Sequence, residues 1–241
     1  MTQPLHGRTV LVTGANGALG EHFVLEALQR GATKVYATAR TPRSWPDPRI
    51  VPLLLDLTDA GSITAAAASA SDVDLVINNA GIAPAGDSIS GPEDELRTTF
   101  ETNFFGTLRV ATAFTPVLAA NGGGTLLNVL SSAAWISVPT GYAASKAAMW
   151  SATNALRVQL RGQNTQVIAL LVGMIDTPMS ARWDVPKVSA ASVAAAAYDG
   201  VADRSIEVLA DESTQYLKSR LSQPAEEFYP WLDELLAGFV P

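Results

Sequence analysis

Cysteine is absent from all 241 residues, so neither a disulfide nor thiolate chemistry is available to this chain. Histidine occurs twice, as His6 in a polar leader and His22 on a helix face, and both read as solvated. Two imidazoles without cysteine assemble no metal cluster at known ligand spacings. Long apolar runs are missing too: none reaches the roughly 20 residues that a membrane-spanning helix needs. Met1 to Arg8 lacks the basic stretch and apolar core of a secretory signal. A cysteine-free chain without such a signal fits a cytoplasmic location. Positive charge is scarce, with 16 Lys and Arg against 23 Asp and Glu for a net charge of -7. An acidic surface repels phosphate backbones and argues against a nucleic-acid partner. The chemistry therefore falls to hydroxyls, amines, amides and a bound cofactor.

What is present is apolar material: 48% hydrophobic residues, rich in alanine, with a mean hydropathy of +0.18. That suffices for a sizeable core. Apolar runs alternate with helical patterns along the chain. Strand signals fall at Thr9–Val12, Lys34–Thr38, Ile50–Leu55, Asp74–Ile77, Thr125–Leu130, Gln166–Val172 and Ile206–Leu209. Helical patterns fall at Leu19–Arg30, Ser62–Ala70, Pro92 to Leu118, Tyr142–Arg161 and Ser189–Ala202. Strands apolar on both faces and separated by helices imply a parallel sheet covered on both sides, an α/β Rossmann-type doubly wound fold of about seven strands. No linker, repeat or composition break divides residues 1–241, which read as a single domain. Residues 213–241 carry Tyr216, Phe228, Tyr229 and Trp231, the composition of a docked C-terminal tail.

Two local patterns carry chemistry. Between the first strand and the first helix lies Gly14-Ala15-Asn16-Gly17-Ala18-Leu19-Gly20. Glycines there allow a tight turn, close approach of a pyrophosphate and close packing of helix on strand, and the helix N-terminus offers free N–H groups to phosphate. Three glycines alone also suit a plain turn. Arg40 follows the second strand where an enzyme for NAD wants an acid, and an arginine suits a ribose 2′-phosphate. Arg43 either assists or is a solvated loop residue. Further on, Tyr142-Ala143-Ala144-Ser145-Lys146 puts a phenol and an ammonium four apart, on one helix face. A free tyrosine titrates near 10. A cation within about 4–6 Å is expected to lower that value and make a usable proton donor and acceptor.

In their order and spacing, from about Arg8 to Thr177, these residues resemble the short-chain dehydrogenase/reductase family. Asp56-Leu57 is similar to its adenine-binding pair, and Asn78-Asn79-Ala80-Gly81 to its sheet-stabilising motif beside the cofactor. Asn103 falls where the family's active-site asparagine bends a helix, and Ser131-Ser132 where a serine binds the substrate oxygen. Gly173 to Thr177, with Ile175, matches the segment flanking the nicotinamide carboxamide. The resemblance implies a carbonyl reductase-like oxidoreductase using NADP(H), with Tyr142 as acid/base, Lys146 lowering its pKa and holding the nicotinamide ribose, Ser132 stabilising the developing alkoxide and Asn103 keeping a proton relay in place. It also implies a homodimer or homotetramer, with Ala111, Ala113, Ala147, Ala148, Met149 and Trp150 at the subunit contact.

Four features depart from the family pattern. Ala18 stands where the family has glycine, giving a Gly14, Gly17, Gly20 spacing nearer its epimerase-like branch. Ser132 precedes Tyr142 by only 10 residues. Val172 replaces a proline before Gly173, and the chain runs on into an aromatic tail. The segments holding Trp135, Ile136 and Val138, and Met179 to Val185 with Trp183, are apolar apart from Arg182, which suggests a small uncharged ketone, aldehyde or secondary alcohol as substrate. Either tryptophan equally suits the core. A non-catalytic NADP(H) sensor or scaffold, and an epimerase or dehydratase on the same fold, are the alternatives.

Overall fold

Runs of β-branched and aliphatic residues form β1 (Thr9–Thr13), β2 (Lys34–Ala39), β3 (Ile50–Leu54), β4 (Leu75–Asn78), β5 (Gly124–Val129), β6 (Thr165–Leu171) and β7 (Glu207–Leu209). All pairings are parallel, in the spatial order β3-β2-β1-β4-β5-β6-β7. The structure, a computed structural model, describes residues 5–136 and 138–237. Leader residues 1–4 and the last four residues of the tail, 238–241, lie outside the described residues.

Central strands are covered on both faces; β1 is buried at all five positions. On one face, α1 (Ala18–Gln29) and α6 (Ala190–Ala202) turn Phe23, Val24, Ala27, Val193, Ala197 and Tyr198 onto the sheet. Phe23 and Tyr198 meet edge to face at 6.0 Å. On the other face, α2 (Ala60–Ser69), α4 (Thr107–Ala120) and α5 (Gly141–Gln159) bury Ile63, Val110, Phe114, Met149 and Leu156. The edge strand β3 differs from the expected two-sided burial. It alternates, leaving Leu54 exposed, and tolerates Pro52 because it has a neighbour on one side only. Ala111 and Met149, expected at a subunit contact, are instead buried at 0% and 1% exposure in this chain's own core.

The helix anticipated from Pro92 to Leu118 is continuous but not uniform. α3 (Glu93–Phe100) passes into a π-helical turn at Glu101–Gly106 and then into α4. The wide turn directs Asn103 inward, to 1% exposure; such turns recur at functional sites. At the other end of the chain are α7 (Glu212–Arg220) and α8 (Ala225–Leu236). Phe228, Leu232 and Leu236, one turn apart, pack α8 against Leu217, Trp135, Ile136 and Val138.

The strand order reverses between β1 and β4, and in open parallel sheets the crevice beyond the carboxyl ends at such a point binds ligands. Gly14, Asn79 to Gly81, Ser131 and Gly173 all follow strand ends on that side.

Candidate active site

The turn after β1 is shaped by two glycines in particular. Gly14 has φ +66°, and a Cβ there would stand 3.0 Å from the Ala80 Cα; at Gly20 a Cβ would lie 2.2 Å from the Gly14 carbonyl oxygen. The first brings the ends of β1 and β4 together, and the second lets α1 press on the turn. Asn79 fixes the pair from β4, its side-chain amide donating to the Thr13 carbonyl at 2.9 Å. Gly17, at the start of α1, offers no side-chain cap. Its N–H donates to Gly14, while those of Ala18, Leu19 and Gly20 have no acceptor among the described residues. Three donors at the positive end of a helix, in an exposed turn, form an anion cradle. Asn16 closes its rim by donating to the Thr41 carbonyl at 2.8 Å.

Arg40 is exposed and makes no ion pair among the described residues. Arg43, in contrast, is held by Glu21 at 2.9 Å and stacks on Trp45 at 4.2 Å. Asp56 lies opposite, its carboxyl held below the usual range by the Thr58 amide and hydroxyl, with the charge of Arg40 adding to them. Its neighbour Leu57 is buried against the wide turn, where a Cβ on Gly106 would collide with it at 2.7 Å. These residues fit a dinucleotide: open amides suited to a phosphate, with an exposed guanidinium and a carboxylate further along the crevice.

The reacting end is built on α5. Its inward stripe runs Lys146, Met149, Thr153, Leu156 at spacings of three and four. Lys146 thereby enters the interior, 6% exposed, and donates to the Val129 carbonyl at 2.8 Å. Burial lowers its ammonium from 10.5 to about 8. Its amine lies 5.6 Å from the centre of the Tyr142 ring. The tyrosine does not respond as expected of a phenol beside a cation. Burial raises Tyr142 above 10.0, and the nearby Ser131 side chain opposes only part of the rise.

That influence on the phenol comes from Ser131 and not from Ser132, while the Ser131 hydroxyl oxygen accepts from the Ala133 amide at 3.2 Å. Backbone extended at Ser131 (φ −143°, ψ 152°) turns consecutive side chains apart, so only one of the two hydroxyls can face Tyr142. Ser132 instead opens a short 3-10 turn, its N–H on the Val172 carbonyl at 2.9 Å. Asn103 ties the site together: its side chain accepts from the Ile82 amide at 2.8 Å and donates to the Ile82 carbonyl at 2.9 Å and the Ser145 hydroxyl at 3.1 Å. Ser145 in turn donates to the Tyr142 carbonyl at 2.7 Å. Gly81 leaves room between them; a Cβ there would lie 3.2 Å from the Asn103 Oδ1 and 3.7 Å from the Lys146 amine.

The segment after β6 is anchored from the tail. Asp211, the N-cap of α7, accepts from the Gly173 amide at 2.8 Å and from Thr214 at 2.9 Å. Ile175 pairs with Val188 in an isolated parallel bridge, and Thr177 opens a 3-10 turn closed by Ser180. Trp183 stacks under Arg182 at 3.9 Å, and Arg182 donates to the Pro84 carbonyl at 3.3 Å, so this segment meets the loop after β4. Trp135 has the other role left open for it: it packs edge to face on Trp150 at 6.4 Å with Lys218 over its ring at 4.5 Å, as part of the tail's docking surface. A cleft of about 210 Å³ runs beside it, lined by Ala133, Ala134, Ile136, Val138, Ala143 and Ala147. Sequence reasoning missed Asp87, Ser145 and Asp211. Only Asp211 left a local signal, an acid three residues before Thr214 at a helix start.

Among the described residues no helix is long and apolar enough to cross a membrane, and no three His, Asp or Glu side chains converge on a metal site. The sequence profile described as short chain dehydrogenase matches residues 8–187. A short chain dehydrogenase from Burkholderia cenocepacia, solved in complex with NADP, superposes with a TM-score of 0.89 at 33% identity, covering 95% of this chain and 98% of that one. The 1-deoxy-11-beta-hydroxypentalenate dehydrogenase of Streptomyces avermitilis is 32% identical over 200 residues, 76% of this chain and 74% of that protein. The oxidoreductase calM of Penicillium decumbens is 35% identical over 162 residues, and the match spans 53% of its length. Fold, motifs and these likenesses agree: the chain belongs to the short-chain dehydrogenase/reductase family.

Proposed function

We propose that this chain transfers hydride between NADP(H) and a small, uncharged ketone or aldehyde, or the matching secondary alcohol, with Tyr142 as general acid and base. The observation that carries the reading is the buried Lys146 amine, one helical turn on from Tyr142 and 5.6 Å from the centre of its ring. Bound at the crevice, the dinucleotide supplies or accepts the hydride. The residues that would hold it are the open amides of Ala18, Leu19 and Gly20, with Gly14, Asn16 and Gly17 around them, Arg40 at the 2′-phosphate, and Asp56 and Leu57 at the adenine. Asn79, Ala80, Gly81, Gly173, Ile175 and Thr177 would flank its nicotinamide half. The structurally similar Burkholderia protein was solved with NADP, which supports the choice of cofactor.

In the reductive direction Tyr142 gives its proton to the carbonyl oxygen, and Ser131 donates a hydrogen bond to the same oxygen as negative charge grows there. A phenol raised by burial stays protonated at neutral pH, the state an acid needs. Lys146 holds a positive charge beneath the site and restores the phenol's proton through the Asn103 side of the pocket. Small apolar residues line the substrate loops, and the cations beside them, Arg182 and Lys218, lie over the rings of Trp183 and Trp135, which suits an uncharged substrate. We further propose assembly into a homodimer or homotetramer. Incubation with NADPH and a panel of ketones and aldehydes tests the reading. Loss of NADPH absorbance supports a reductase; bound but unconsumed NADPH indicates a sensor, and substrate conversion without consumption an epimerase.

A further inference from the structure

The first turn of a helix leaves its N–H groups without internal acceptors. At α5 all four are accounted for. Thr140, the N-cap, donates its own amide to the Val138 carbonyl at 2.8 Å and accepts from Ala143 with its side chain at 3.1 Å. The other two donors are Gly141 and Tyr142 itself, and both go to one carboxylate far away in sequence. Asp87 accepts from the Gly141 amide with Oδ1 at 3.0 Å and from the Tyr142 amide with Oδ2 at 2.7 Å. A negative charge at this end also suits the helix dipole.

Asp87 belongs to the loop after β4, which passes over the site. The loop is fixed at its start by Asn103, which grips Ile82 by both amide and carbonyl. It is fixed again past Asp87, where the Ile89 amide donates to the Pro139 carbonyl at 2.9 Å. Gly141 is shaped for this contact: a Cβ would stand 2.9 Å from the Asp87 Oδ1 and 2.6 Å from Leu96. The helix thus has an ordinary local cap and, in addition, a clamp reaching from the loop to the backbone of the reacting tyrosine.

We propose that Asp87 is a positioning residue for Tyr142: by holding two consecutive amides it fixes the first turn of α5, and with it the phenol, against Ser131 and the substrate loop. The inference rests on the reading of Tyr142 as the acid. Asp87 touches neither substrate nor cofactor. Its effect belongs in kcat, because displacement of a reacting group by about 1 Å costs up to about 100-fold in rate.

The test compares Asp87→Ala and Asp87→Asn with the unmutated enzyme, using 4-nitrobenzaldehyde and NADPH. Readouts are kcat, KM, the NADPH Kd by fluorescence, hydrogen exchange of the Gly141 and Tyr142 amides, and the Tyr142 phenol titration by NMR of labelled tyrosine. In Asp87→Ala the expected result is a kcat lower by about 10- to 100-fold, an NADPH Kd unchanged, faster exchange at both amides, and a phenol titrating closer to 10.0 than in the unmutated protein. Asp87→Asn, which keeps one acceptor oxygen, falls between, and carries the test if the alanine variant does not fold. An unchanged kcat and phenol titration in a folded variant, even one that melts earlier, overturns the proposal and leaves Asp87 a helix cap. Tyr142→Phe run alongside separates the two failures. An active Tyr142→Phe enzyme removes the acid assignment; an inactive one beside normal Asp87 variants removes only the clamp.

Discussion

Lys146 shows the conflict between stability and chemistry at a single residue. Its amine is 6% exposed, with the Val129 carbonyl as hydrogen-bond acceptor, and burial holds it at about 8 against 10.5 in water. A base depressed in the fold binds fewer protons folded than unfolded between those two values. Stability from this group therefore rises with pH from about 8 to 10.5. Below that window the penalty is fully present, roughly 3 kcal/mol. Lys146→Met relieves it but leaves the Val129 carbonyl without its donor, a cost of about 1–3 kcal/mol. The variant is expected to melt at pH 7 no lower than the parent while losing activity, as thermal melts and rate assays will show. In the parent, reductive kcat/KM should hold constant below pH 8 and fall as the ammonium is lost above about 8. Tyr142, raised by burial, remains the acid across that range. A profile flat to pH 10 would contradict this account of Lys146.

At the scale of elements, the cofactor end depends on the uncapped start of α1 and the loop that follows β2. Asp59, Thr140, Ser189 and Asp211 each cap their own helix with a side chain, whereas Gly17 leaves α1 open. Arg40 is free beside it and Arg43 is engaged by Glu21 and Trp45. The account predicts tighter binding of NADPH than of NADH, measured by fluorescence titration. Arg40→Ala should erode the preference by about 10- to 100-fold, since one charge-assisted contact is worth about 1.5–3 kcal/mol. Arg43→Ala should do less. Equal affinities in the unmutated protein would contradict the assignment. These elements were legible in sequence because their signals are local: glycines at a strand–helix turn, and a tyrosine and lysine four apart. What was not legible depends on register and distance. Nothing local distinguishes Ser131 from Ser132, since only the extended backbone at Ser131 decides which hydroxyl faces the phenol. Asp87 and Asp211 act on amides 54 and 38 positions away. The direction of the Tyr142 shift escaped as well, because spacing reveals a neighbouring lysine and not the burial that raises the phenol.

For the whole molecule, removing Ala111 and Met149 from the proposed subunit contact leaves Ala113, Ala147, Ala148 and Trp150, partly buried in the single chain. Beside the wide turn, Leu96, Phe100 and Phe105 line a surface cavity of about 340 Å³ together with the charged Glu93, Arg97 and Glu101, with Phe105 47% exposed. An exposed aromatic rimmed by charges of both signs suits a contact with a second copy. Light scattering at micromolar concentration is expected to report a dimer or larger, and Phe105→Glu to lower that mass; a monomeric parent would contradict the assembly. The central claim concerns the hydroxyl at the middle of the fold, where loop, helix and strand end meet. Its most direct test is the single-turnover rate of NADPH oxidation by 4-nitrobenzaldehyde in Tyr142→Phe, a change that removes one oxygen and keeps the ring. The account predicts a fall of about 100- to 10,000-fold with NADPH affinity preserved, and a rate equal to the parent's would contradict it.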